Sequence, residues 1–383
     1  FKHISFLFFM LIAQCTVAQQ FKFDVINHEK GLCSSRINKL YKDSRGLLWI
    51  GGDGAGLFSY NGYEFKNYNK LNQYENLFIT DIIENENKQL VLSSRYMGIL
   101  FFEGNKFIKI NINSDVSKFV KTKKGIFGFG ISNIYFINNK NKVSLVKDLK
   151  KLAVATITSA EAINEELILF ATDKGLFTYN VKNNTVNKIH KFTNEVTICK
   201  GINSTLLVAD SQGNIYETTY NKTSLERSTF LIKIKSKSES VFKITNILQN
   251  SNGNIWFTGT KETGIGILYS NKNYSILDHK NGVPDSEYLS ILSDNGIINI
   301  GTDYLGFFQF GKQSFIKYNA TPELSTPYIF NILDVKENLY TVVSKKGILE
   351  FDNTDLNNLK FIKTIPFSGR VNELYKNVNN KLL

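Results

Sequence analysis

Histidine and cysteine are scarce in this chain of 383 residues, which holds four of the first and three of the second. The histidines have no metal-ligand spacing; they are His3, His28, His190 and His279. We therefore predict no metal, no cofactor and no catalytic residue here. Cys33 and Cys199 are far apart, and we expect two buried free thiols, although a disulfide between them stays open in an exported protein.

Long apolar runs are also missing beyond the first residues. Residues 1–18, FKHISFLFFMLIAQCTVA, have a basic Lys2, an apolar centre and small residues before Gln19, which is typical of a secretory signal peptide. Its apolar run is shorter than the roughly 20 residues that a spanning helix needs. Gln14 before Cys15 disfavours lipidation at that cysteine. We therefore expect export, with no spanning helix in the rest of this sequence.

The formal net charge of +12 raises the question of nucleic-acid binding. The lysines are scattered through the chain and form no basic stripe, so we predict no nucleic-acid partner in this region. Weak attraction to acidic glycans stays open.

Residues 46–65, GLLWIGGDGAGLFSYNGYEF, contain a glycine cluster. A phosphate-binding loop would open a helix, but the cluster is followed by short β-type runs and an Asn-Gly hairpin signal. The glycines therefore indicate hairpin turns.

The same pattern recurs about every 41 residues, as in IWFTG from Ile255, GLFTYN from Gly175 and GILEFD from Gly347. Each unit contains four short runs, A to D, separated by turn signals. Such a repeat is typical of β-propeller blades, so the predicted fold is all-β with four-stranded blades. Two amphipathic helices per unit, which a helical solenoid would need, are absent.

Eight units and the beginning of a ninth exceed one ring of seven blades. We predict a first propeller of about seven blades at 19–320 and the start of a second, truncated propeller at 321–383; one ring of eight blades is the alternative. FKFDV at 21–25 is similar to a strand D, and we expect it to complete another blade, such as one beyond this sequence. Because the chain stops within a unit, we expect it to be an N-terminal fragment.

INKLYKDSRGLLWIGGDGAGLFSYNGYEFKNY, from Ile37, resembles the two-component-regulator propeller repeat. The resemblance implies the periplasmic sensor region of a Bacteroidetes-type hybrid two-component system, histidine kinase or related membrane-bound transcriptional regulator. It also implies membrane and output domains, such as a histidine kinase, beyond this sequence; a homodimer is left open. The expected function is sensing of a small polar ligand such as an oligosaccharide. The alternatives are a secreted glycan-active lyase or glycosidase and a protein-interaction scaffold.

Candidate ligand-binding residues lie in the B–C turns and at the start of strand A, which share one face of a propeller. Arginine, aspartate and tyrosine suit a sugar, because hydroxyls accept and donate charge-assisted hydrogen bonds and sugar rings stack on aromatic faces. The candidates are Arg36, Asp53, Arg95, Tyr96, Asp173, Lys261, Glu262, Asp303 and Tyr304. Trp49 and Trp256 lie in strand B of the repeat, and we expect them to pack between blades.

Overall fold

The computed structural model describes residues 23–62, 64–68, 77–112, 114–222, 224–236, 241–311, 329–336, 339–344, 347–352 and 360–365. The predicted signal peptide lies outside these residues. The chain divides into two units, Phe1–Lys312 and Gln313–Leu383. The predicted boundary near residue 320 also lies outside the described residues.

Seven four-stranded antiparallel sheets, called blades 1 to 7, lie in the first unit. The first strand, Phe23–Ile26 (β1), belongs to blade 7. Blade 1 contains Ile37–Lys42 (β2), Leu48–Gly52 (β3), Gly56–Tyr60 (β4) and Phe65–Asn67 (β5). Blade 2 contains Ile79–Glu84 (β6), Leu90–Ser94 (β7), Gly98–Glu103 (β8) and Lys106–Ile110 (β9). Blade 3 contains Lys118–Thr122 (β10), Gly125–Phe129 (β11), Asn133–Asn138 (β12) and Val143–Asp148 (β13).

The remaining blades of the first unit follow the same order. Blade 4 contains Ile157–Ala162 (β14), Leu167–Thr172 (β15), Gly175–Asn180 (β16) and Thr185–Ile189 (β17). Blade 5 contains Val196–Lys200 (β18), Thr205–Asp210 (β19), Asn214–Tyr220 (β20) and Leu225–Lys233 (β21). Blade 6 contains Asn246–Gln249 (β22), Ile255–Thr258 (β23), Ile265–Leu268 (β24) and Tyr274–Leu277 (β25). Blade 7 contains Tyr288–Asp294 (β26), Ile297–Thr302 (β27), Phe307–Phe310 (β28) and β1. Short 3-10 helices occupy His28–Lys30, Lys150–Leu152 and His279–Asn281.

The second unit contains Ile329–Lys336 (β29), Leu339–Ser344 (β30), Gly347–Asp352 (β31) and Lys360–Ile365 (β32). These four strands form one antiparallel sheet, blade 8. In the part of the chain that the structure describes, no helix is long and apolar enough to cross a membrane.

Glycine sets the B–C turns, as the repeat predicts. Gly175 has a φ of +112°, and a Cβ there would lie 2.0 Å from the carbonyl oxygen of Phe192. Only a residue without a side chain allows the strand to begin this close to the end of its own blade.

The amino-terminal strand completes blade 7. β1 pairs antiparallel with β28, from Phe23 opposite Phe310 to Ile26 opposite Phe307. The expectation that FKFDV serves as a strand D and completes another blade is therefore confirmed, but that blade is blade 7 of this chain and not one beyond this sequence. The pairing covers an edge that would otherwise expose unpaired backbone groups.

The innermost strands contact one another in the order β2, β6, β10, β14, β18, β22, β26 and again β2. Polar side chains link neighbouring blades along this circuit. Asn38 donates to the carbonyl oxygen of Ile79 at 3.0 Å, and Ser290 donates to the carbonyl oxygen of Ile37 at 3.5 Å. Lys42 also forms an ion pair with Asp294, which joins blades 1 and 7.

The apolar core lies between the faces of neighbouring blades. Trp49 is 3% exposed and makes an edge contact with Phe102 of blade 2 at 5.6 Å between ring centroids. Trp256 is 8% exposed and lies 5.5 Å from the ring of Phe310 in blade 7. The structure thus places both tryptophans between blades, as the sequence predicts.

Both described cysteines are free. Cys199 is partly buried on β18, whereas Cys33 is exposed, so the expected burial of Cys33 is wrong. Cys33 follows the first 3-10 helix in a loop between β1 and β2, which leaves its side chain outside the packed sheets.

Candidate ligand-binding rim

The B–C turns lie between the second and third strands of each blade, and they share a face with the segments that lead into the next strand A. Backbone contacts connect these turns around part of the ring. Gly306 of blade 7 donates to the carbonyl oxygen of Ser35 at 2.8 Å, and Gly56 of blade 1 donates to that of Leu77 at 3.0 Å. The turns of blades 7, 1 and 2 are therefore neighbours, and we call this surface the rim.

Arg36 and Asp53 meet at the blade 1 part of the rim. The Arg36 Nε lies 2.8 Å from Asp53 Oδ2, and the backbone N–H of Asp53 donates to the carbonyl oxygen of Arg36 at 3.3 Å. The arginine side chain is 44% exposed and the aspartate side chain 16%. Asp53 Oδ1 is buried and has no hydrogen-bond partner among the described residues. The pair fixes the start of β2 to the turn and leaves part of the guanidinium in solvent.

Arg95 and Tyr96 form the blade 2 part of the rim. The backbone N–H of Arg95 donates to the carbonyl oxygen of Phe78 at 2.9 Å, while the Arg95 side chain is exposed. Tyr96 is 75% exposed, and its ring makes an edge contact with Phe78 at 6.0 Å. Its φ of +70° is uncommon for a bulky residue and holds the ring away from the blade.

Asp303 and Tyr304 form the blade 7 part. Asp303 Oδ1 accepts hydrogen bonds from the hydroxyl of Ser286 at 2.6 Å and from the backbone N–H of Glu287 at 3.2 Å. Tyr304 is 46% exposed, and its hydroxyl donates to the carbonyl oxygen of Asp285. The ring of Tyr304 is thus accessible to a ligand, while the Oδ1 atom of Asp303 is already occupied by hydrogen bonds within the protein.

Lys261 and Glu262 continue the same surface onto blade 6. Both side chains are exposed, and the backbone N–H of Lys261 donates to Glu287 Oε1 at 3.3 Å, in the segment that leads into blade 7. These two residues add charges of both signs to one end of the rim.

Asp173 lies on blade 4, which is not adjacent to blades 6, 7, 1 or 2. Its Oδ1 accepts hydrogen bonds from the backbone N–H groups of Ala155 at 2.9 Å and Thr156 at 3.2 Å. Asp173 and Asp303 therefore share a structural contact with the segment before their own strand A, which explains why the repeat places aspartate there. Their role in ligand binding stays a prediction, as does that of the other rim residues.

The inner strands carry a charged cluster that was not predicted from the sequence. Lys39 of β2, Asp81 of β6, Lys118 of β10 and Glu161 of β14 line a cavity of about 200 Å³ together with residues from the other inner strands. The lining includes Cys199, whose pKa is raised by burial and, less strongly, by Glu161. Charged residues within the predicted strands A were the feature of the sequence that could have predicted this cluster.

β-bulges explain why the alternation of polar and apolar residues does not predict which side chains of these strands face the channel. The register of β2 shifts between Ile37 and Lys39, and that of β6 shifts between Ile79 and Asp81. An extra residue in a strand changes which side chains face each side. In the described part of the chain, no group of three or more histidine, cysteine or carboxylate side chains could hold a metal ion.

The comparisons with known proteins agree with the fold. The family model described as "Two component regulator propeller" matches residues 31–54, which confirms the resemblance in the first repeat. No curated protein sequence matches the chain significantly.

Solved structures resemble the chain at low sequence identity. The extracellular domain of the BT4673 system protein from B. thetaiotaomicron has a TM-score of 0.62 and 17% identity, over 95% of this chain and 51% of that chain. The extracellular domain of the hybrid two-component system protein BT3049 from the same organism has a TM-score of 0.61 and 17% identity, over 94% and 52%. The present chain therefore spans about half the length of these domains.

Virginiamycin B lyase from Staphylococcus aureus, in a catalytically inactive variant with quinupristin, has a TM-score of 0.62 and 15% identity, over 76% of this chain and 99% of that chain. At these identities the likeness concerns the fold alone. Together with the four-stranded sheets, it shows that the chain has a β-propeller fold, and residues 31–54 carry the two-component-regulator repeat.

Proposed function

We propose that the chain is the exported, ligand-binding sensor module of a membrane-bound signalling regulator. The match at residues 31–54 and the likeness to extracellular domains of two-component systems support this class. The membrane and output domains belong to a longer protein, of which this chain supplies the periplasmic amino-terminal part.

We further propose that residues 23–310 form one closed ring of seven blades and that blade 8 opens a second propeller. The pairing of β1 with β28 and the contact of β2 with β26 support this arrangement. The division of the chain after Lys312 supports it too.

The ligand of this sensor is a small polar molecule such as an oligosaccharide, and it binds at the rim. One observation carries this proposal: blades 2 and 7, on either side of blade 1, expose two tyrosine rings, Tyr96 and Tyr304, on the face that also carries the side chains of Arg36 and Arg95. Exposed rings next to hydrogen-bond donors suit a sugar, whose faces are apolar and whose edges carry hydroxyls. Rings held on short, backbone-anchored turns lose little conformational entropy on binding.

Calorimetry against a panel of oligosaccharides tests the rim. The variant Arg95→Ala/Tyr96→Ala is expected to bind the parent's ligand at least about tenfold more weakly, the equivalent of about 1.4 kcal/mol. The control is Lys106→Ala/Tyr274→Ala, which removes an exposed lysine and an exposed tyrosine from the fourth strands of blades 2 and 6, away from the B–C turns. Equal affinity in the rim variant and the control would refute the rim as the site.

A propeller lyase or glycosidase remains the alternative function, and a structural comparison bears on it. The inactive form of the similar lyase carries a histidine-to-alanine substitution. In the described part of the present chain, the histidines lie outside the residues that line the channel; they are His28, His190 and His279. Among the described residues, no arrangement of side chains around the channel therefore favours catalysis over sensing.

A further inference from the structure

The inner strands of blades 1 to 7 enclose a channel with a cavity of about 200 Å³. Residues from all seven inner strands line it, including Asn38, Thr197, Asn246 and Ser290. This volume is several times the roughly 30 Å³ that one water occupies in the liquid, so the cavity has room for a small solute.

Most polar groups in this lining already have partners within the protein. Lys39 Nζ lies 2.6 Å from Asp81 Oδ1, which also accepts the backbone N–H of Ile82 at 3.0 Å. Asp81 Oδ2 accepts the backbone N–H of Phe119 at 2.7 Å. Both oxygens of this buried carboxylate are therefore used, and its charge is matched by Lys39.

The hydroxyl and amide groups of the lining are used in a similar way. Ser159 accepts hydrogen bonds from the backbone N–H of Ile198 at 2.7 Å and from the hydroxyl of Thr197 at 3.3 Å. The Asn246 amide donates to the carbonyl oxygen of Tyr288 at 2.9 Å. These groups hold neighbouring blades together, which limits their freedom to bind a solute.

Lys118 is different. It lines the same cavity, it is half-buried, and within the described part of the chain its ammonium forms neither an ion pair nor a hydrogen bond. Burial lowers the pKa of Lys118; Asp81 raises it and Lys39 lowers it, so the two ammonium groups lie close enough to repel each other.

Glu161 is the second carboxylate of this lining, beside Asp81. Burial raises the pKa of Glu161, while Lys200 and Lys39 lower it. Glu161 also accepts a hydrogen bond from the backbone of Lys200, and no ion pair joins it to Lys118 in the described residues. The lining therefore holds two lysines and two carboxylates, whose formal charges balance, and Lys118 is the lysine without an ion pair among the described residues.

We propose that the channel is a second binding site, separate from the rim, for a small oxyanion: a carboxylate or sulfate group on a molecule no larger than about one sugar ring. Lys118 contacts the anion directly, and Lys39 adds a positive charge from the neighbouring position while it stays paired with Asp81. A charge-assisted hydrogen bond in a partly desolvated cavity is stronger than the same contact at the surface.

Isothermal titration of the purified chain with sodium sulfate, acetate and glucuronate tests the site, with glucose as the neutral probe of similar size to glucuronate. We expect one of the anions, but not glucose, to bind with a stoichiometry of one. Lys118→Met is expected to weaken that binding at least tenfold, and Lys118→Arg to retain most of it.

The matched control is Lys121→Met, on the same strand. Lys121 lies 3.1 Å from Glu86 in an ion pair and is not part of this cavity lining. Retained binding in this variant, in Arg95→Ala/Tyr96→Ala and in folded Lys118→Arg supports the proposal. Absence of binding by all three anions at millimolar concentration, or equal binding in Lys118→Met, overturns it. Loss in the Arg95→Ala/Tyr96→Ala variant alone would place the anion at the rim instead.

Discussion

Two tryptophans in equivalent strands, Trp49 and Trp256, have different hydrogen-bond environments. One can therefore serve as the internal control for the other. In blade 1 the indole N–H of Trp49 donates to Asp43 Oδ2 at 2.9 Å. The equivalent of Asp43 in blade 6 is Asn250, six residues before Trp256 in the same way. The Trp256 N–H is buried and has no partner among the described residues.

Asp43 makes several further contacts. Its Oδ1 accepts the backbone N–H groups of Arg45 and Leu47, each at 3.0 Å, and its Oδ2 binds the Arg45 guanidinium at 2.6 Å. Asn250 Oδ1 makes the two backbone contacts in its own turn, to Asn252 at 3.1 Å and Asn254 at 3.0 Å. Asn250 can therefore form the turn, but it does not accept a hydrogen bond from the indole N–H of Trp256.

Asp43→Asn is expected to lower the free energy of unfolding by about 2–4 kcal/mol. The change keeps the turn contacts but removes a hydrogen bond to a charged group, worth about 1.5–3 kcal/mol, and leaves a buried indole donor unpaired. Because Arg45 is 58% exposed, its ion pair adds at most about 1 kcal/mol.

The converse change is Asn250→Asp/Asn252→Arg, which rebuilds the blade 1 arrangement around Trp256. It is expected to raise the free energy of unfolding by about 1 kcal/mol, the net worth of one satisfied buried donor. Asn250→Asp alone is expected to gain less, because the new buried carboxylate has no arginine beside it.

Urea unfolding with an unchanged m-value measures both variants. Burial raises the pKa of Asp43, but the hydrogen bonds from Trp49 and Arg45 outweigh burial and hold the pKa below its usual range. A carboxyl group with a lowered folded-state pKa stabilises the fold above its unfolded pKa and loses that contribution as pH falls through the folded one. The difference between parent and Asp43→Asn should therefore shrink below about pH 4. A difference that is absent at pH 7, or constant down to pH 2, would refute the assigned role of the Asp43–Trp49 bond.

Three further predictions follow from single contacts. Gly175→Ala is expected to cost at least about 2 kcal/mol, because its Cβ would meet the Phe192 carbonyl at 2.0 Å; Gly282→Ala, with open space around it, is the milder control in thermal unfolding. Removal of residues 21–26 is expected to destabilise blade 7 and raise hydrogen exchange in β28, and unchanged exchange would contradict the closing role of β1. Lys118→Met is expected to be more stable than the parent near neutral pH, since a lysine with a lowered folded-state pKa binds fewer protons when folded. The difference in free energy of unfolding between Lys118→Met and the parent should shrink as pH rises from the folded-state pKa of Lys118 toward about 10.4. A difference that grows with pH in urea unfolding would contradict the lowered pKa of Lys118.

The repeat pattern predicted the blades well because each blade is built from local contacts. Asn-Gly and glycine turns, strand alternation and a period of about 41 residues all act within one unit. The tryptophans were placed correctly for the same reason, since a large aromatic at a repeated strand position faces the neighbouring blade. These features depend on residues that lie close together in the sequence.

The closing strand could not be assigned in this way. β1 and β28 are separated by about 280 residues, and nothing in FKFDV distinguishes one open edge from another. The partner is decided by which edge remains unpaired once the other blades have formed. The channel charges were missed for a different reason: bulges at the start of β2 and β6 change which side chains point inward.

The proposed closed ring of packed blades would also constrain how the proposed sensor transmits a signal. Interdigitated interiors resist gradual deformation, so ligand binding at the rim or in the channel changes little within a blade. In the proposed sensor, the signal would come from two arrangements of the ring relative to another domain or subunit, and the ligand would shift their equilibrium only by its difference in affinity for the two. Rim residues such as Tyr96 are exposed and can contact a ligand and a neighbouring domain together. Lys118 lies among the inner strands, so an anion bound there would stabilise both arrangements equally unless the ring itself changes shape. If the two proposed sites exist, this difference favours the rim for signalling and the channel for a contribution to the stability of the ring.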